Sequence, residues 1–193
     1  MKTSDQVYSF VFRGLLTKEA LDAVVAEAAE PNEKTAIEDI EGLLALDALD
    51  ERFVTDARQM AQVYVLIAAF ENSVRELISS TLKEEIGEDW WNKCVSEKIR
   101  QQATQRMEEE EKIRWHTPRG NDPINFTMLP NLLNVIRQNH EHFPIIPNID
   151  WASNIFEVIE RSRNVIMHSG RISRRDMARL GTFIRDWAAQ VYS

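Results

Sequence analysis

Two arginines, an asparagine and a histidine fall close together in the segment RSRNVIMHSG, residues 161–170. They are Arg161, Arg163, Asn164 and His168. A guanidinium fork matches phosphate oxygens bidentately, and an imidazole titrates near neutral pH. These residue types suit a site that handles a phosphate group. A second reading stands beside it: a histidine at the C-terminal end of a helix is favoured in its charged form by the helix dipole, and a charged helix end is ordinarily just solvated.

The charge around the segment is uneven. The chain carries a net charge of −8, which argues against nucleic-acid binding over its whole surface. Yet residues 151–193 hold seven arginines (161, 163, 171, 174, 175, 179 and 185) against four acids, whereas residues 1–50 hold eleven acids against four bases. The C-terminal excess reads either as a phosphate-facing patch, with Arg161, Arg171, Arg174 and Arg175 as its substrate-binding members, or as ordinary charged helix surface.

Several classes of chemistry find no support. The single cysteine, Cys94, excludes an internal disulfide and a cysteine zinc cluster. None of the four histidines stands in an H-E-x-x-H spacing, and His140 and His142, two apart, read as polar surface. We therefore expect neither a metal nor a cofactor. No glycine-rich phosphate loop or paired carboxylates point to nucleotide transfer or phosphate hydrolysis. No uncharged apolar run of about 18 residues occurs, and MKTSDQVYSF is not a signal peptide, so a cytoplasmic protein without a membrane partner is expected.

The elements that must position these residues read as helices nearly throughout, since Gly and Pro are scarce and no period-2 alternation is sustained. Helices are predicted over Thr17–Ala29, 37–46, 50–86, 95–114, 127–140, 151–168 and 174–191. Gly87 is the stop of the third, Gly170 is the glycine that ends the helix of 151–168, and Trp90 and Trp91 open a further segment. The run EEEE at 108–111 reads as a solvated face, 116–126 as a loop, and FPIIPNIDW as an extended connection. A straight helix over 50–86 would span about 55 Å, so a bend or break between 50 and 60 is expected. Ser173 and Asp176 form a capping-box-like start for the last helix, whose buried stripe is Met177, Leu180, Ile184, Trp187 and Val191. The fold class predicted is an all-α bundle of about five to seven helices, with residues 1–50 as an acidic helical extension and 51–193 as the main domain.

Helical-wheel positions sharpen the candidates. The long helix carries Phe53, Met60, Tyr64, Ile67, Val74 and Ile78 as its apolar stripe. Glu71 falls about 40° from Ile67, inside that stripe, where a carboxylate is costly unless paired. Either Arg75, one turn on, neutralises it, or it faces the later arginine and histidine. Arg161, Asn164 and His168 share one face of their helix, while Arg163 lies about 140° from His168.

The hexapeptide RNVIMH resembles the R-x4-H signature of the HEPN superfamily of α-helical RNA-processing domains. The resemblance extends to FENSVRELISSTLKEEIGEDWW (70–91), similar to the long helix, glycine stop and tryptophan pair of one HEPN branch. It continues in MLPNLLNVIRQNHEHF (128–143), in Trp151 opening the motif helix, and in GRISRRDMARL (170–180), and covers about residues 60–193. It implies a HEPN-like fold and a metal-independent endoribonuclease acting in RNA processing or in a defence or toxin-like role. Two copies of the motif helix would meet in a homodimer, which brings Arg163 of one copy toward His168 of the other. His168 would be the general acid/base on the ribose 2′-hydroxyl or the leaving 5′-oxygen. Arg163 would bind the scissile phosphate, Asn164 would orient the histidine or phosphate, and Glu71 would position Arg163. The looser family pattern also admits Arg161 as the phosphate-binding arginine. The products would be a 2′,3′-cyclic phosphate and a 5′-hydroxyl. The resemblance equally admits a non-catalytic RNA- or protein-binding module, with an inhibitory or effector protein as partner and residues 1–50 as an interaction arm or a cover.

Overall fold

The computed structural model describes residues 40–113 and 115–192, and the chain divides into two units, Met1–Val54 and Thr55–Ser193. The expected division was at 50/51. The helix predicted over Thr17–Ala29 lies outside the described residues. Of the stretch 37–46, residues 40–43 are helical, followed by a turn and a 3-10 helix over Leu46–Ala48.

Every regular element among the described residues is helical, which makes the protein an all-α bundle. The α-helices are α1 (Glu51–Ile86), α2 (Trp90–Cys94), α3 (Glu97–Glu111), α4 (Leu129–Gln138), α5 (Ile149–Met167) and α6 (Arg174–Val191). Among the described residues, no helix is long and apolar enough to cross a membrane.

No break falls between 50 and 60: α1 runs 36 residues as one continuous helix. Sharp kinks need a proline, a glycine or a bulge, and no proline or glycine occurs from Glu51 to Ile86. Gly87 then ends the helix in a left-handed conformation, φ 92°, with its N–H on the Lys83 carbonyl at 3.0 Å.

The core of the larger unit lies along one face of α1. Val63, Ile67, Phe70, Val74, Ile78 and Leu82 are buried there, against Ile99 of α3, Leu132 and Ile136 of α4, Ile155 and Ile159 of α5, and Leu180 and Trp187 of α6. The predicted stripe needs correction at two positions. Phe53 and Tyr64 are 70% and 54% exposed: the buried face is centred toward Val63 and Phe70, which leaves Tyr64 at its edge, and Phe53 precedes Val63, where the core cluster on α1 begins. On α6, Leu180 and Trp187 are buried while Met177, Ile184 and Val191 are partly so.

Side chains close the remaining backbone. Asn148 Oδ1 accepts the Trp151 N–H at 2.7 Å at the start of α5, and Ser173 Oγ accepts the Asp176 N–H at 3.2 Å at the start of α6. The predicted extended connection keeps Phe143 and Ile146 in the core, and His140 Nε2–H donates to the Ile146 carbonyl at 3.1 Å. Buried Asn139 donates to the carbonyls of Cys94 at 2.9 Å and Val135 at 2.8 Å. Burial pushes the Cys94 thiol up from its ordinary value, which disfavours the reactive thiolate.

The end of α5 departs from the expected glycine stop. Ser169, not Gly170, takes the left-handed conformation, φ 59°. Its N–H bonds the Ile166 carbonyl at 2.9 Å, and the Gly170 N–H bonds the Val165 carbonyl at 2.7 Å, the paired bonds of a Schellman ending. Gly170 is required for space: a Cβ there would sit 2.7 Å from the Val165 carbonyl oxygen. Ser169→Gly is therefore expected to stabilise the protein by about 1 kcal/mol, since a left-handed L-residue is strained and glycine is not. Thermal or urea unfolding checks it, and an unchanged midpoint would show the strain to be relieved elsewhere.

Candidate functional site

The site grows from one carboxylate on α1. Glu71 lies one turn after buried Ile67, and its side chain is only 14% exposed. Arg75 Nη2 donates to Glu71 Oε2 at 3.1 Å, and Arg163 Nε of α5 approaches Oε1 at 3.1 Å. The second contact is an ion pair without the alignment of a hydrogen bond, so Oε1 receives no well-directed donor. The two readings of Glu71 thus coexist: its own helix and α5 each supply an arginine.

Arg75 extends the network. Its Nη1 donates to Asn72 Oδ1 at 2.8 Å and its Nη2 to the Thr127 carbonyl at 3.2 Å. Arg106 of α3 donates from Nη1 to the Phe126 carbonyl at 2.7 Å. Two consecutive carbonyls just before α4 are thereby held by arginines from two different helices. Arg119, in the loop before them, pairs through Nε with Glu110 Oε2 at 3.1 Å and lies 5.3 Å from the centre of the Phe126 ring.

These residues enclose a recess of about 610 Å³ whose wall includes Tyr64, Glu71, Arg75, Arg106, Arg119 and Arg163. A smaller pocket of about 110 Å³ adjoins it, lined by Ile67, Ile166 and Met167 together with Tyr64, Glu71 and Arg163, which belong to both. Arg163 therefore stands at the junction of a polar and an apolar compartment.

The other sequence candidates lie elsewhere on the surface. Arg161 is 81% exposed and pairs with Glu157 at 3.4 Å, one turn back on α5. Asn164 is exposed, with Nδ2 3.5 Å from Glu160 Oε1. His168 is exposed at the cap of α5 and does not line the recess. Arg171 is ion-paired with Asp56, while Arg174 and Arg175 are exposed without an ion-pair partner among the described residues. None of these three lines the recess, so the arginines of the C-terminal patch are not the ones gathered around Arg163. No three His, Cys, Asp or Glu side chains converge in a metal-holding group among the described residues.

Sequence reading missed Arg106 and Arg119. Arg106 had a usable signal: it follows buried Ile99 and Ala103 at i+7 and i+3, so it shares their helix face. Arg119 had none, because a loop residue has no periodicity to place it.

Removing the shared carboxylate charge leaves two mostly buried guanidiniums without their acid. Glu71→Gln is expected to cost about 2 kcal/mol of stability, measured by urea unfolding. A loss below about 0.5 kcal/mol, the level of an ordinary surface change, would show the ion pairs to be energetically idle.

No family model, curated protein or solved structure matches the chain.

Proposed function

We propose that the protein is a metal-independent endoribonuclease of HEPN type, acting in the cytoplasm as a homodimer. The observation that carries this reading is the anchoring of Arg163. Of the two arginines that the motif offers, Arg163 is held against a mostly buried carboxylate at the mouth of an arginine-lined recess, while Arg161 points its charge at an exposed acid. A phosphate contact is worth more from a guanidinium that is already fixed in place.

Arg163 binds the scissile phosphate and stabilises the charge that develops on it. A base takes the proton of the ribose 2′-hydroxyl, the 2′-oxygen bonds to phosphorus, and the bond to the 5′-oxygen breaks. An acid returns a proton to that oxygen, so the products are a 2′,3′-cyclic phosphate and a 5′-hydroxyl. His168 is the titratable group of the motif suited to both transfers. Within one chain it lies outside the recess that holds Arg163, so the reading requires two chains that present the motif helices to each other. Val165 and Met167, 41% and 57% exposed beside His168, supply apolar surface for such pairing.

The same separation favours a second reading, a module that binds RNA or an inhibitory or effector protein and does not cut. One assay decides between them: a labelled single-stranded RNA incubated with the full chain in EDTA, with the new ends identified. Cyclic phosphate ends support the nuclease. Intact RNA that is retained by the protein supports the module.

A further inference from the structure

The recess gathers more positive charge than its surroundings neutralise. Arg75, Arg106, Arg119 and Arg163 stand against two carboxylates, Glu71 and Glu110. Arg106 has no acidic partner among the described residues, and its guanidinium donates to a neutral carbonyl. The Arg75 side chain is only 14% exposed, and its Nε is buried without an acceptor among the described residues. A cation removed from water needs a counter-charge, and on a chain of net charge −8 this surplus is not the overflow of a basic surface. The occupant that suits the recess is an anion.

The wall defines the anion further. Arg106 and Arg119 meet at Phe126, the first on its carbonyl at 2.7 Å and the second 5.3 Å from its ring centre. Each retains guanidinium N–H groups without a partner among the described residues, the geometry that takes phosphate oxygens. Asn72 and Asn125 add amides to the wall, and Tyr64, 54% exposed, lines both the recess and the smaller pocket. Aromatic faces stack nucleobases without regard to sequence. A volume of about 610 Å³ falls in the range of small-ligand sites.

We propose that this recess binds a nucleoside phosphate, with Arg106 and Arg119 as the phosphate ligands and Tyr64 as the base platform. The nucleotide is either a residue of an RNA strand next to the scissile phosphate or a free mononucleotide. The first source rests on the ribonuclease reading, and the second does not.

The test uses the full chain and two probes. A fluorescein-labelled 2′-O-methyl oligoadenylate octamer, which cannot be cut through its 2′-oxygen, is followed by anisotropy; AMP is followed by its effect on thermal unfolding. Arg119→Gln changes an exposed side chain, and Arg106→Gln keeps a donor for the Phe126 carbonyl. Each is expected to weaken octamer binding about tenfold and to lower the slope of log affinity against log salt by about one. Lys98→Gln, exposed on α3 and outside the wall of the recess, is expected to change affinity less than about twofold. Stabilisation by AMP that is lost in both recess variants, without octamer binding, supports the site with a free nucleotide as ligand. Octamer affinity that is equal in wild type and both recess variants, or the absence of any effect of either probe, overturns the proposal. Uncut RNA in the EDTA assay, with octamer binding still lost in Arg119→Gln, removes the nuclease reading and leaves the recess standing.

Discussion

His168→Ala is expected to lower RNA cleavage by about 10²–10⁴-fold, the usual contribution of a positioned acid or base, while changing unfolding free energy by less than about 0.5 kcal/mol. The two halves of that expectation have different origins. The rate loss follows from assigning proton transfer to the only ionisable imidazole of the motif. The stability result follows from burial: the side chain is exposed at the cap of α5 and forms no side-chain bond among the described residues. A histidine that served only the helix end would give the reverse, with cleavage kept and a loss of about 0.3–1 kcal/mol when the charged ring is removed. Arg163→Ala makes the informative companion. Its loss also strips an ion pair from Glu71, so cleavage and stability should fall together. If His168→Ala cuts as well as wild type, His168 is not the acid or base and the proton transfers belong to another group.

The largest effect on stability is expected at Trp187. It is 1% exposed and joins α6 to two other helices through rings. Trp151 stacks on it at 5.6 Å with the planes 6° apart, and Phe70 and Phe156 meet it edge-on at 5.5 and 5.6 Å. Trp187→Ala should cost about 4 kcal/mol, as large-to-small changes of buried aromatics do, measured from urea unfolding midpoints. Trp187→Phe should cost much less than its lost volume implies. The indole Nε1 is buried without a hydrogen-bond partner among the described residues, and phenylalanine removes that orphan donor, whose burial itself costs about 1–3 kcal/mol. A loss under about 1 kcal/mol for the alanine variant would mean that the aromatic cluster is not the centre of the fold. Since Trp151 and Phe156 belong to α5, the alanine variant should also weaken any activity that depends on Arg163.

Element type and most helix ends were legible because they are local. The apolar period marks α5 and α6, the Ser173–Asp176 spacing marks a cap that forms as read, and Gly87 supplies the left-handed stop of α1. The end of α5 was misread for a reason of the same scale: a Ser-Gly pair offers two residues for one left-handed position, and only the close approach of Gly170 to the Val165 carbonyl assigns it to Ser169. The stripe on α1 was misread at Phe53 and Tyr64 because periodicity fixes the angular spread of a face, and neither the direction in which the neighbouring helices cover it nor how far along the helix that cover extends.

What the amino-acid order determined by itself is therefore the all-α fold class, the positions of the helices from α1 onward and the presence of a carboxylate on a buried stripe that had to find a cation. Tertiary structure decided which cations it found, since Arg75 is one turn away while Arg163 arrives from α5, 92 residues later in the chain. It also decided that Arg106 and Arg119, scattered in a charged helix and a loop, converge on Phe126 and enclose the recess with Arg163. Charge pairing of that kind depends on distance in space, to which sequence spacing beyond one or two helical turns is blind.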